Sequence, residues 1–369
     1  MPRLHLTAVV AILLLAFGSA LGSCAWRGPV RSPELAAERR AALGRAQVWA
    51  PTNIRSMDLK TGPRGPGAFA LGETVTCDYI ERDMHGRSPK FTCVIPGVTP
   101  DRVKVKYGVG NAEVYGEVLS TRLLWALGFG ADRMYPVRVI CRGCPEKIQA
   151  ERALPSGERV FDPAVIERKM PGRVLESRSD EGWSWKELDL VDVEAGGAPR
   201  SHRDGLKLLA VMLQHSDSKP SQQRLACLDA DGPAGSNGHG AACTHPFMLV
   251  QDLGLTFGRS DMFYRDKNYV NLARWADTPV WTGSAGCVGN LEAPLFATLD
   301  RPVISESGRA FLAGLLGQLR DRQIRDLFEA ARITRRPAST HSAAPTIDQW
   351  VAVFKHKRDE IASKRCERD

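Results

Sequence analysis

The stretch His215-Ser216-Asp217-Ser218-Lys219-Pro220 closes one apolar run, and Asp252-Leu253-Gly254 closes a second. Both put a carboxylate where a chain usually places an ordinary turn. A carboxylate can accept a proton or bind a hard cation, and a lysine two residues away sets a positive charge beside it. The chemistry open to this pair is proton acceptance at one carboxylate and metal binding at the other, provided the fold joins them. Each residue also has a plainer use: Asp217 as a helix-terminal turn residue, Lys219 as a solvated loop lysine, and Asp252 as a strand end held by backbone.

The elements that must position these residues are legible as patterns. Residues 24–67, rich in Arg, Ala, Pro and Gly, read as a tether with one short helix near 33–48. In 68–170, the runs ETVTCDYI, KFTCVI and RVKVKYG alternate with period two and predict three strands, and PVRVIC and AVIERKM predict two more. Between them AEVYGEVLSTRLLWAL predicts a helix, with Asn111 as its N-cap and Gly128 as its stop. Residues 171–369 change character. HRDGLKLLAVMLQH predicts an apolar helix, PFMLVQDLG a buried strand reaching a turn, and three helical segments follow Ser307, the last opened by a capping box from Thr346 to Gln349. A strand-rich unit holding one helix, followed by a helical unit, is an α+β order.

The His-x-Asp-x-Lys-Pro spacing of 215–220 resembles the catalytic loop of protein kinases, and Asp252-Leu253-Gly254 resembles their D-F-G. An upstream strand lysine and helix glutamate precede both in the order a kinase has. The chain is therefore similar, over roughly residues 70–330, to divergent kinase-like proteins of the secreted and phosphoinositide-kinase style. That resemblance implies a two-lobed fold with ATP or another nucleotide, and Mg²⁺ or Mn²⁺, in the cleft. Asp217 would accept the proton of an acceptor hydroxyl, and Lys219 would face the transferred phosphate. Asp252 would hold the metal with Gln222, which stands where kinases place an Asn and has a longer reach. Lys106 would grip phosphate, although Lys104 lies on the same strand face. Its partner would be Glu117 rather than Glu113, which lies at the helix start, where the helix dipole alone favours a carboxylate. Glu167 falls where a hinge between lobes would lie. No Gly-rich phosphate loop sits in the right place: DMHGRSP has a single glycine between the first two strands. The alternatives are a pseudokinase and a disulfide-stabilised binding or structural protein.

Other chemistry is weaker. His202, His215, His239 and His245 lack metal-ligand spacing, and no Ser lies in a G-x-S-x-G elbow. The segment WADTPVWTGSAGC reads as a disulfide-tied surface loop in preference to an acceptor-binding one.

The N-terminus addresses location. An apolar run from Ala8 to Leu21 reads as a secretory signal over 1–23, too short for a comfortable membrane span. Leu21-Gly22-Ser23-Cys24 resembles a bacterial lipobox, which implies a lipid on Cys24 and a membrane surface as partner. The expected location is the bacterial cell envelope, facing the periplasm or the cell surface. Of nine cysteines, eight remain after Cys24: Cys77, Cys93, Cys141, Cys144, Cys227, Cys243, Cys287 and Cys366. An even count in an exported chain favours disulfides. Cys77 with Cys93, Cys227 with Cys243 and Cys287 with Cys366 are plausible pairs. The Cys141-x-x-Cys144 motif, open to redox or zinc readings, is better read as a structural bridge. The net charge of +8 falls to +7 with loss of Arg3 in the signal, and its basic residues are interleaved with acidic ones. That pattern is unlike a nucleic-acid stripe, so no nucleic-acid partner is expected.

Overall fold

The computed structural model describes residues 33–367 apart from 85, 87, 146–151, 154–156, 176–180, 230–242, 260–268 and 338–343. The signal segment, Cys24 and His239 lie outside the described residues.

In the first strands apolar and polar residues alternate, so each presents one face to oil and one to charge. Strands β1 (Thr74–Ile80), β2 (Lys90–Ile95) and β3 (Asp101–Tyr107) form an antiparallel meander. Strand β4 (Arg133–Arg142) pairs parallel to β1, and β6 (Arg159–Arg168) pairs antiparallel to both β4 and β3, with the short β5 (Arg152–Ala153) appended to β6. The β3–β6 pairing closes a five-stranded barrel, in the order β1-β2-β3-β6-β4. Closure removes the two open edges that a sheet of these strands would expose. Val75, Cys77, Phe91, Cys93, Val105, Val139, Phe161 and Ile166 fill one separate core. The alternate residues Lys90, Lys104, Lys106 and Glu167 therefore stand on the opposite, outer face.

Helix α2 (Glu113–Leu127) lies against that outer face and is buried nearly all round. Asn111 Oδ1 accepts the Glu113 N–H at 3.2 Å, and Gly128 ends the helix with φ 89°, as the sequence predicts. The second half holds a three-stranded sheet ordered β7 (Arg173–Val174), β8 (Gln223–Cys227) and β9 (Pro246–Val250). Around it stand α3 (Arg200–Leu213), α4 (Leu272–Asp277), α5 (Glu306–Leu316), α6 (Asp321–Ala330) and α7 (Ile347–Ser363). The capping box of α7 forms as its pattern predicts: Gln349 N–H donates to Thr346 Oγ1 at 3.3 Å and Thr346 N–H to Gln349 Oε1 at 2.8 Å. The architecture is α+β.

The tether reading of 24–67 is corrected from residue 33 onward. Helix α1 (Pro33–Arg45) and the strap after it are packed, with Ala42, Leu43, Ala46, Val48, Ile54 and Leu59 buried in the main core. Two charged residues of α1 pair with the second half of the chain, Arg39 with Glu187 at 2.9 Å and Glu38 with Arg173 at 2.7 Å. The strap also accepts two hydrogen bonds from the buried Arg122 of α2, at Leu59 O and Lys60 O.

Cys77–Cys93, Cys141–Cys144, Cys227–Cys243 and Cys287–Cys366 are paired. Such pairing is compatible with an extracellular or periplasmic location. The last bridge ties Cys287 to Cys366, and the surface-loop reading of WADTPVWTGSAGC holds only for its exposed middle, residues 282–286, since Trp275 lies on α4 and Trp275, Val280 and Trp281 are buried in the main core.

Candidate functional site

Lys106 is the centre of the site. It is 1% exposed, and its ammonium bonds Glu117 of α2, reaches Glu113 Oε2 at 2.7 Å and stands 3.7 Å from Asp252 Oδ2. Its place follows from the β3 alternation, which sends Val105 inward and Lys106 outward, and from α2, where Glu113 and Glu117 are one turn apart on the same face. Asn111 Nδ2 donates to Tyr107 O at 3.2 Å and so fastens the end of β3 to the start of α2.

Two glycines let the Asp252 turn reach this helix. A Cβ on Gly116 would lie 2.6 Å from Gly254 O, and one on Gly254 would lie 2.5 Å from Glu113 Cγ. Any side chain at either position would drive α2 and the turn apart. Lys104 takes a different partner, Glu167 at 2.5 Å, which also pairs with Lys169 at 2.6 Å. The structure thus separates the two lysines that share a strand face: Lys106 belongs to the helix and the turn, Lys104 to the end of β6.

The electrostatics follow from three carboxylates around one buried ammonium. Burial pushes the Glu117 carboxyl well above its usual range, with Asp252 and Glu113 reinforcing this against Lys106. Burial works against a charged Lys106, yet Asp252, Glu117 and Glu113 together hold it well above an ordinary lysine. Asp252 goes the other way: burial opposes its charge, but Lys106, Lys104 and the Gly254 N–H hold it below the usual carboxylate range. Ligand oxygens of Glu113, Glu117 and Asp252 lie within 4.8 Å of one another, but the cation among them is the Lys106 ammonium. A metal would reach Asp252 from its open side, where the side chain is 29% exposed. Cys227, Asp229 and Cys243 also converge, but both sulfurs are spent in a disulfide.

Asp217 stands on the loop that leaves α3. The helix stops at Gln214 with φ 55°, and His215 is then fully buried, its N–H on Ala210 O at 2.9 Å. Asp217 Oδ1 pairs with Lys219 Nζ at 2.8 Å, and its Oδ2 accepts from Gln222 Nε2 at 3.0 Å. Burial raises the Asp217 carboxyl above its ordinary value, opposed by Lys219 and Gln222 and reinforced by the charge of Asp252. The main-chain carbonyl of Gln222 accepts the N–H of Asp252 at 3.2 Å and of Gln251 at 2.9 Å. One residue therefore holds Asp217 with its side chain and Asp252 with its backbone. Ser218 is fixed from outside, its carbonyl accepting Thr298 Oγ1 at 2.7 Å and its hydroxyl accepting Leu299 N–H at 3.0 Å.

No family model and no curated protein matches the chain. Among solved structures, a Helicobacter pylori proinflammatory kinase, CtkA, is similar over 79% of this chain and 95% of that one, at 10% identity and a TM-score of 0.41. At that score the likeness carries no argument, and the weight rests on the site itself.

Of the residues singled out by spacing, Lys106, Glu117 and Asp252 meet at one ammonium, and Asp217, Lys219 and Gln222 form an adjoining corner. Gln222 does more than the Asn comparison suggests, since its amide nitrogen faces Asp217 and leaves the carbonyl oxygen as its only side-chain ligand atom. Glu113 is a second partner of the same lysine. Asp132 was missed altogether: its side chain is fully buried and binds Arg224 and Lys169, each at 2.9 Å, latching the end of β6 to β8. Asp132 sits between two short apolar segments in sequence, and no spacing signals its partners.

Proposed function

We propose that the protein is an envelope-located, lipid-anchored, kinase-like phosphotransferase that uses ATP or another nucleotide and transfers a phosphoryl group to an acceptor hydroxyl. The observation that carries this reading is the shared geometry of four groups. The Lys106 ammonium is held by Glu117 and faces Asp252, while Gln222 ties the Asp252 backbone to the Asp217 carboxylate. Phosphoryl transfer asks a protein mainly for positioning and charge neutralisation, and this cleft is built of both.

Asp252 and the Gln222 carbonyl oxygen are the groups that would hold Mg²⁺ or Mn²⁺, and the ion would neutralise charge on the phosphates. Asp252 suits that task because it stays ionised and partly open. Lys106 orients Asp252 and offers positive charge to the phosphate chain. Asp217 accepts the proton of the acceptor hydroxyl as the new O–P bond forms and the bond to the leaving diphosphate breaks. Its raised affinity for a proton suits a base, and Lys219 keeps it aligned. The proposed lipid on Cys24 would hold the cleft at a membrane surface.

A non-catalytic nucleotide-binding protein is the second reading, favoured by the single glycine between β1 and β2 and by Gln at position 222. Thermal stabilisation by ATP with and without Mg²⁺ or Mn²⁺ tests both readings. Asp252→Ala should abolish metal-dependent stabilisation, while Asp217→Asn should keep it and lose transfer of labelled phosphate. Stabilisation without transfer in the wild type selects the second reading, and no response to any nucleotide sinks both. Cys24→Ser should release the protein from membranes, and unchanged fractionation would end the anchor proposal.

A further inference from the structure

Lys90 opens β2 directly opposite Lys106 in the antiparallel β2–β3 ladder. Directly opposed residues point to the same face, and like charges there destabilise the pair. The two lysines differ in their company. Lys106 has Glu113, Glu117 and Asp252, whereas no acidic side chain among the described residues pairs with Lys90. Lys90 is nevertheless half-buried, and burial together with Lys106 and Lys104 lowers its proton affinity. Its backbone is pinned: the carbonyl of Pro89 accepts Tyr107 N–H at 3.3 Å and Asn111 Nδ2 at 3.3 Å. The β1–β2 connection turns over the ammonium at Gly86, where φ is 90° and a Cβ would lie 2.8 Å from Lys90 Nζ. A pinned, half-buried ammonium beside two other lysines is costly unless an anion sits there.

We infer that Lys90 is the outer anion-binding residue of the cleft, taking the terminal phosphates of a polyphosphate chain from beneath the β1–β2 connection. This deepens the nucleotide reading and rests on it. A side-chain cation here does what a run of glycine backbone N–H groups would do, and the single Gly86 gives the lysine room. Glu113 and Asp252 partly offset that lowering, and the register opposite Lys106 puts the Lys90 side chain on the same face of the barrel.

The test is titration calorimetry of the disulfide-intact chain with Mg-ATP, adenosine and inorganic tripolyphosphate. Lys90→Met is compared with Lys186→Met, a charge control on the exposed face of the turn Trp185–Leu190. Loss of one charge-assisted hydrogen bond should weaken Mg-ATP and tripolyphosphate about tenfold or more and leave adenosine unchanged. Lys186→Met should stay within about twofold, because an exposed charge is screened. Without ligand, Lys90→Met should melt no lower than the wild type, since it removes a like-charge contact. Wild-type affinity of Lys90→Met for Mg-ATP would overturn the Lys90 assignment and leave the nucleotide reading standing, and an equal loss of adenosine binding would overturn it as well. Tripolyphosphate binding that depends on Lys90, without any ATP binding, would leave the anion site and remove the nucleotide. A wild type that binds neither ligand removes both.

Discussion

The two charged corners of the site are built on opposite plans. Around Lys106, one ammonium answers three carboxylates, two on the buried helix α2 and one on the turn after β9, and two glycines set the spacing. Around Asp217, one carboxylate takes a lysine on one oxygen and an amide on the other, on a loop outside regular structure. The first corner is over-determined, and removing a member strands buried charge. The second is held by lighter bonds that can be exchanged for a substrate. Rigidity around Lys106 and tolerance around Asp217 is a division of labour that the proposed phosphoryl transfer would use and that mutation can probe.

Lys106→Met should be the most damaging change, because it leaves the fully buried Glu117 and the partly open Asp252 without their cation. A loss of about 3–5 kcal/mol in urea unfolding is expected. If Lys106→Met unfolds like the wild type, the first corner is not structural and the contrast fails.

His215 makes the second corner sensitive to acid. It is fully buried, and burial lowers its pKa to about 4 from an ordinary value of 6.5. Because the unfolded chain takes up the proton first, stability is complete above about pH 6.5 and falls as pH drops toward 4. The loss approaches about 3 kcal/mol over that window. His215→Phe should flatten this part of the stability profile, measured as the difference between the two proteins at each pH, and parallel profiles would refute it.

Gly254→Ala tests whether close approach sets the first corner. Its Cβ would meet Glu113 Cγ at 2.5 Å, so a loss of about 1–3 kcal/mol is expected together with weaker metal-dependent nucleotide binding. Unchanged binding would show that the Asp252 turn does not need α2. Asp217→Asn should have the smallest effect on folding, within about 1 kcal/mol, because burial already disfavours the Asp217 charge, its partner Lys219 is partly exposed and the amide is isosteric. A larger loss would make the second corner as structural as the first.

Much of the fold was legible where periodicity was strong. The strands around Cys77, Cys93 and Val105 alternate, α2 runs between Asn111 and Gly128, and α7 begins at the Thr346 capping box. The helix near 33–48 was legible as α1, but the packing of 33–67 onto the core was not, because Ala-rich helices and Pro-rich straps have linker-like composition whether or not they find a surface to cover. Barrel closure was also invisible, since the β3–β6 pairing joins residues some sixty positions apart and neither strand's pattern differs from that of an open sheet.

The sequence by itself determined which residue types were available and which face each would take: a period of two turns Lys104 and Lys106 outward together, and a period near four stacks Glu113 on Glu117. It also determined the chain order of lysine, glutamate and two aspartates. Only the tertiary structure decided that Lys106 pairs with the helix while Lys104 pairs with Glu167, and that Gln222 joins Asp217 to Asp252. The physical reason is that periodicity fixes direction, whereas distance between charges depends on how closely two backbones pass, and here that is set where Gly116 meets Gly254.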